Sequence, residues 1–173
     1  MPSEYNIPFV GLKNGQHRFE YTIEQTFFET RDYFDFSKVN VQITLEMIKK
    51  EQLLELHFWG QGSVEVPCDI STELFDLPIS PKMDLVVKFG SSLESPSDEI
   101  LILPHGSYQI DIAQQIYEMI ILAVPSKKIH PQVADGTLQS EILEKLKSLA
   151  PKAQPPSTND QTDPRWDTLK KLL

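Results

Sequence analysis

Cys68 is the one cysteine of the chain, and His57, His105 and His130 are the bases that a fold would have to carry to it. Nucleophilic chemistry there requires a thiolate, favoured by a nearby cation or helix N-terminus, and a base within hydrogen-bond reach. No local signature around Cys68 supplies this. The residue continues the apolar alternation of Val64 and Val66, the ordinary setting of a small core side chain. Cys68, Asp69, His105 and His130 are also metal-ligand types, but closed zinc sites are marked by paired ligands at short spacing, and no such pair stands here. His17, near Gly15, reads as a turn residue, and Asp32, Asp35 and Asp98-Glu99 are scattered as solvating carboxylates are. Neither a phosphate-cradling glycine loop nor a nucleophile elbow is present. No catalytic residue, metal ligand or cofactor is expected.

Two clusters suit binding better. Lys127, Lys128 and His130 follow Pro125, and in the tail Arg165, Lys170 and Lys171 accompany Trp166 and Leu169. Cations beside an aromatic ring contact phosphate and stack on a base, although lysines at a helix C-terminus equally complement its dipole. In the tail Asp163 suits an N-cap and Pro164 the first helical position, placing Trp166, Leu169, Leu172 and Leu173 on one face. So short a helix is marginal alone. It either folds back on its own domain or orders in a partner's groove.

The elements that must position these residues are mostly strands. Phe19, Tyr21 and Ile23 alternate with polar residues, and an aromatic, acidic segment follows. Val39 to Met47 and Leu54 to Phe58 repeat the alternation around Lys49-Lys50-Glu51-Gln52, as a hairpin does. Gly60 and Gly62 interrupt the pattern before Val64, Val66 and Cys68, which predicts a bulge or sharp bend. Met83 to Phe89 and Glu99 to Leu103 are further strands. Asp111 is expected to cap a helix reaching Val124, with Gln114 completing a capping box and Pro125 ending the helix. Ile112, Ile116, Met119, Ile120 and Ala123, widened by Tyr117, Ile121 and Val124, predict burial round much of its circumference. Ile142, Leu143, Leu146 and Leu149 mark a surface helix, and residues 151–162, rich in Pro and polar residues, form a flexible linker. The expected organisation is an α+β core domain over 1–133, mainly antiparallel sheet packed by one central buried helix. A peripheral helix over 134–150, the linker, and a docking motif over 163–173 follow.

At 173 residues the chain buries a core without disulfides or a structural metal. Its net charge of -9 opposes sequence-independent binding to a phosphate backbone, so DNA is not an expected partner. The N-terminus lacks a secretory signal and no apolar run spans a bilayer, so a cytoplasmic location without membrane contact is expected.

Four segments in order resemble the YceD family, the large ribosomal RNA subunit accumulation proteins of bacteria: Val64-Glu65-Val66-Pro67-Cys68-Asp69-Ile70-Ser71, Leu85 to Gly90, Ile110 to Pro125, and Asp163 to Leu172. Many members of that family resemble one another in a Cys-x-x-Cys pair at the end of the first segment, and some carry further cysteines after the proline-terminated helix. Here Ser71 takes the second position and the later region offers His130, so a zinc site of that kind is not expected. The resemblance implies a non-enzymatic factor supporting accumulation of large-subunit (23S) ribosomal RNA. The gene's frequent neighbour, a small large-subunit ribosomal protein, suggests a partner. A large-subunit precursor or a basic ribosomal protein is therefore expected to be bound, with local rRNA contact through the cations above; the oligomeric state is left open. The alternatives are a protein-only adaptor without RNA contact and a hydrolase or nuclease built on Cys68 or the carboxylates.

Overall fold

The computed structural model describes residues 4–29, 31, 35–91, 97, 99–138 and 140–150. In chain order the elements are β1 (Asn6–Pro8), β2 (Gly15–Glu24), α1 (Gln25–Glu29), β3 (Lys38–Lys49), β4 (Leu53–Pro67), β5 (Leu74–Ile79), β6 (Lys82–Gly90), β7 (Ile100–Pro104), β8 (Gln109–Asp111), α2 (Ala113–Ala123), α3 (Pro131–Ala134) and α4 (Glu141–Leu149). The chain divides into two units, 1–138 and 139–173. The class is α+β with antiparallel-rich sheets. Among the described residues no helix is long and apolar enough to cross a membrane.

The first unit is organised on β4. Its neighbours order the main sheet as β2-β3-β4-β6-β7, with β5 also on β4. The hairpin read from the alternation is β3 against β4, running from Lys38↔Glu65 to Lys49↔Leu54. On the other edge, β6 pairs Leu53 to Trp59 and β5 pairs Gly62 to Pro67, interrupted at Ser80-Pro81, where Gly60 N donates to Pro81 O at 2.9 Å. The β6–β7 pair is parallel, whereas the other strand pairs of that sheet among the described residues are antiparallel. β1 and β8 form a separate two-stranded sheet, with Ile7 opposite Ile110 and both buried.

One face of this sheet makes the core. Val39, Val41, Ile43, Leu45 and Met47 on β3 meet Leu54, Leu56, Phe58, Val64 and Val66 on β4, all buried, while Glu55, His57, Trp59, Gln61, Ser63 and Glu65 take the opposite face. A slip of one residue would exchange these faces, so burial itself fixes the register. The aromatic segment after β2 is the short helix α1, which drives Phe27 and Phe28 into the core; Phe28 meets Phe36 edge-on at 4.8 Å. The Arg31 guanidinium covers this cluster, 4.3 Å from the Phe27 ring and 5.0 Å from the Tyr117 ring.

The glycines of β4 act differently from the expectation. Register runs unbroken through Ile43↔Gly60 and Val41↔Gly62, so no bulge forms. A Cβ at Gly62 would stand 2.1 Å from Asn40 O, and one at Gly60 would stand 2.9 Å from Gln42 O. These positions are glycine because a neighbouring backbone approaches too closely for any side chain.

The long helix also departs from its reading. Asp111 lies in β8 and its Oδ1 accepts from Ala113 N at 2.9 Å, whereas the Gln114 amide turns along the helix to donate to Glu118 at 2.7 Å. The capping box is thus replaced by an i,i+4 contact. Ile116, Met119 and Ile120 are buried, but Leu122 is 80% exposed, so burial is one-sided rather than round most of the circumference. Nor does a single helix serve the core, since α1 contributes Phe27 and Phe28.

In the second unit, α4 is the surface helix that the leucine spacing predicts. Ser140 precedes it, Glu141 and Glu144 stand in its first turn and Lys147 in its last, each sign matched to the dipole. None of its residues is buried.

Gly62→Ala is expected to lower stability by about 3 kcal/mol in urea unfolding, because β3 and β4 must separate. Gly11→Ala, where nothing lies within 4 Å, should change it by no more than about 0.5 kcal/mol. Equal midpoints for both variants would contradict the close-approach account.

Candidate functional site

The end of β4 runs into a tight turn around Cys68. Cys68 N donates to Glu73 O and Thr72 N donates to Cys68 O, both at 2.9 Å, with Thr72 in the left-handed region at φ 61. Thr72 Oγ1 donates to Ser71 O at 2.6 Å, steadying that backbone. Inside the turn, Ser71 N points at Cys68 Sγ from 3.5 Å, and the Ser71 side chain is fully buried.

The loop after Pro125 closes over this turn. Asp69 N donates to Lys128 O at 2.8 Å and Lys128 N donates to Asp69 Oδ2 at 2.6 Å. Beside this pair, His130 N donates to Cys68 Sγ at 3.3 Å. The fold therefore brings Cys68, Ser71 and the Lys128–His130 backbone together, joining two segments 62 residues apart in sequence.

This geometry governs the thiol. Burial pushes Cys68 up, but main-chain N–H groups of His130, Ser71 and Ile70 and the Ser71 side chain stabilise the thiolate more strongly, and its pKa falls from 9.0 to about 7. Such donors favour an anionic sulfur without any neighbouring cation. The residue is nonetheless 1% exposed.

The side chains named from the sequence are distributed unevenly. Lys128 extends its ammonium to Asp35 Oδ2 at 2.7 Å and is only 12% exposed, so the charge offered for a phosphate is already neutralised within the domain. Lys127 is exposed. The His130 ring rests edge-on against Phe75 at 5.2 Å, and its Nδ1 accepts from Gln132 N at 3.1 Å, capping α3. It thus meets Cys68 through its main chain, and the ring nitrogen that could serve as a base is spent on the cap. Arg165, Trp166, Leu169, Lys170 and Lys171, with the linker, lie outside the described residues, as do Asp32 and Asp98.

The other histidines lie elsewhere. His57 occupies the outward face of β4 and donates from Nδ1 to Asp84 Oδ1 at 2.7 Å. His105 is exposed in the turn after β7. His17 is part of β2, not a turn, and contacts Lys13 O at 2.8 Å. Among the described residues no group of three or more His, Cys, Asp or Glu is placed to hold a metal ion. Asp69 and Asp35, which lock the loop, stand out only as acidic residues in the sequence; their pairing with Lys128 has no local signal.

Because the Cys68 pKa is depressed, its contribution to stability is present above the unfolded value of 9.0 and is lost as pH falls through about 7. Wild type should gain roughly 1–2 kcal/mol over Cys68→Ala between those pH values in urea unfolding. Iodoacetamide should label the native thiol far more slowly than the unfolded one. A pH-independent difference would show that the N–H donors do not stabilise the thiolate.

Comparison with curated proteins and with solved structures gave no match. A family model described as large ribosomal RNA subunit accumulation protein YceD matches residues 56–173. That stretch holds most of β4, the Cys68 turn and the loop that closes on it, as well as the tail, and covers well over half of the chain: the protein belongs to the YceD family.

Proposed function

We propose that this chain is a non-enzymatic factor in biogenesis of the large ribosomal subunit, acting in the cytoplasm by binding a precursor particle or a basic ribosomal protein. The family match over 56–173, whose name ties it to accumulation of large-subunit ribosomal RNA, carries the reading. The net charge of -9 supports it on physical grounds, since an acidic body is complementary to a basic protein and steers its approach. The Cys68 turn and the Lys128 loop fit an architectural role. Lys128 N–H is spent on Asp69, His130 N–H on Cys68 Sγ, and the His130 ring on the α3 cap rather than on the thiol.

Contact with rRNA falls to Lys127 and to Arg165, Trp166, Leu169, Lys170 and Lys171 of the tail. His130 contributes the shape of the loop that carries Lys127. One observation favours the second reading, a protein-only adaptor: the Lys128 ammonium is held by Asp35, which reduces the basic patch available to a phosphate.

Gradient sedimentation of cell lysate tests the proposal. The protein should travel with large-subunit precursors, most visibly when assembly is stalled, and a chain ending at Ala150 should lose at least about tenfold in particle association while unfolding at the same urea concentration. A protein that stays at the top of the gradient under stalled assembly refutes the ribosomal role. Undiminished association of the truncated chain refutes the tail's part in it.

A further inference from the structure

α2 covers the core only partly, and the uncovered part is a groove. About 1030 Å³ of space lies between the start of β6, the start of β7 and α2. Met83, Leu85, Leu101 and Met119 line it, and Leu122 stands on its rim, 80% exposed. Methionines suit such a surface because their flexible, polarisable side chains repack against varied apolar partners. Scattered exposed leucines are ordinary, but one bordering a cleft lined with core side chains extends a continuous apolar surface.

Two polar features say what would fill it. Glu99 and Glu118 put negative charge on the lining against the single cation Lys82, while the Asp84 carboxylate is held by His57 on the other face of the sheet. In addition, Gln115, also in the lining, has a buried Oε1 with no hydrogen-bond partner. A buried carbonyl oxygen without a donor is costly, and an incoming N–H would relieve it. Nucleic acid is a poor match for carboxylates around an apolar floor.

We infer that this groove receives an amphipathic segment of a basic protein. Its apolar side chains pack on Met83, Leu101 and Leu122, its cations face Glu99 and Glu118, and it offers a donor to Gln115. The mode is that of an amphipathic helix laid in a hydrophobic groove. The partner's identity as a ribosomal protein rests on the function proposed above; the chemistry of the groove does not.

The probe is a fluorescent synthetic peptide with leucines along one helical stripe and lysines elsewhere, titrated by anisotropy against the full chain. Saturable binding is expected, weakened at least about tenfold by Leu122→Asp and by Glu118→Lys, and lost when the peptide's lysines are replaced by glutamate. Both substituted residues are exposed, and equal urea midpoints would show that the variants remain folded. No saturable binding, or binding unaffected by either variant, overturns the inference. So does a rRNA affinity that Leu122→Asp abolishes, a dimer that Leu122→Asp dissolves, or a Leu122→Cys thiol that resists maleimide in the free chain. These results would assign the groove to nucleic acid, to a second copy, or to the chain itself.

The peptide titration and the gradient together separate the two proposals. If the peptide fails to bind saturably while the chain still travels with large-subunit precursors, the groove fails and the ribosomal reading stands. If the peptide behaves as expected and the chain stays at the top of the gradient under stalled assembly, the groove stands and that reading fails.

Discussion

The structure depends on β4 keeping one register with every strand beside it. Its even-numbered positions supply Leu54, Leu56, Phe58, Val64 and Val66 to the core while β3 lies along one edge and β5 with β6 along the other. Gly60 and Gly62 allow the neighbouring backbones to come close without shifting the alternation. The same strand delivers Cys68 to the point where the loop after α2 closes. Burial, register and the position of the thiol are therefore consequences of one pattern of side-chain alternation.

From that strand outward, local and long-range interactions divide the work. The Cys68 turn is closed by its own backbone, but it is placed in the domain by bonds reaching across to Lys128 and His130. A side-chain hydroxyl at Ser71 leaves the sulfur with N–H donors, and among the described residues no metal-ligand cluster accompanies it. In this member of the family, hydrogen bonding and packing hold the two segments together. The apolar groove beside α2, with Glu99 and Glu118 in its lining, remains as chemistry directed outward.

Much of the sheet was legible because alternation is a local signal. It located β2, β3, both halves of β4, and β6 from residues a few positions apart. β5 escaped that reading because Pro78 breaks its short run, and β1 and β8 because three residues carry no period. The parallel β6–β7 pairing depends on chain path rather than pattern. At the candidate site, Lys127, Lys128 and His130 were visible as a basic cluster. The fate of Lys128 was not, since Asp35 lies 93 residues away. Similarly, Gln114 has the right type and spacing for a capping box, yet Glu118 one turn on takes its amide. Competition between two adequate partners is decided by the folded geometry, which spacing alone does not contain.

The claim at the centre of this account is that the chain sustains large-subunit ribosomal RNA. Its most direct measure is the ratio of large-subunit to small-subunit rRNA in cells deprived of this protein and in the same cells carrying it again. The account predicts that the ratio falls on depletion and recovers with the intact chain. A ratio unchanged by depletion, with growth and total RNA matched, would contradict it.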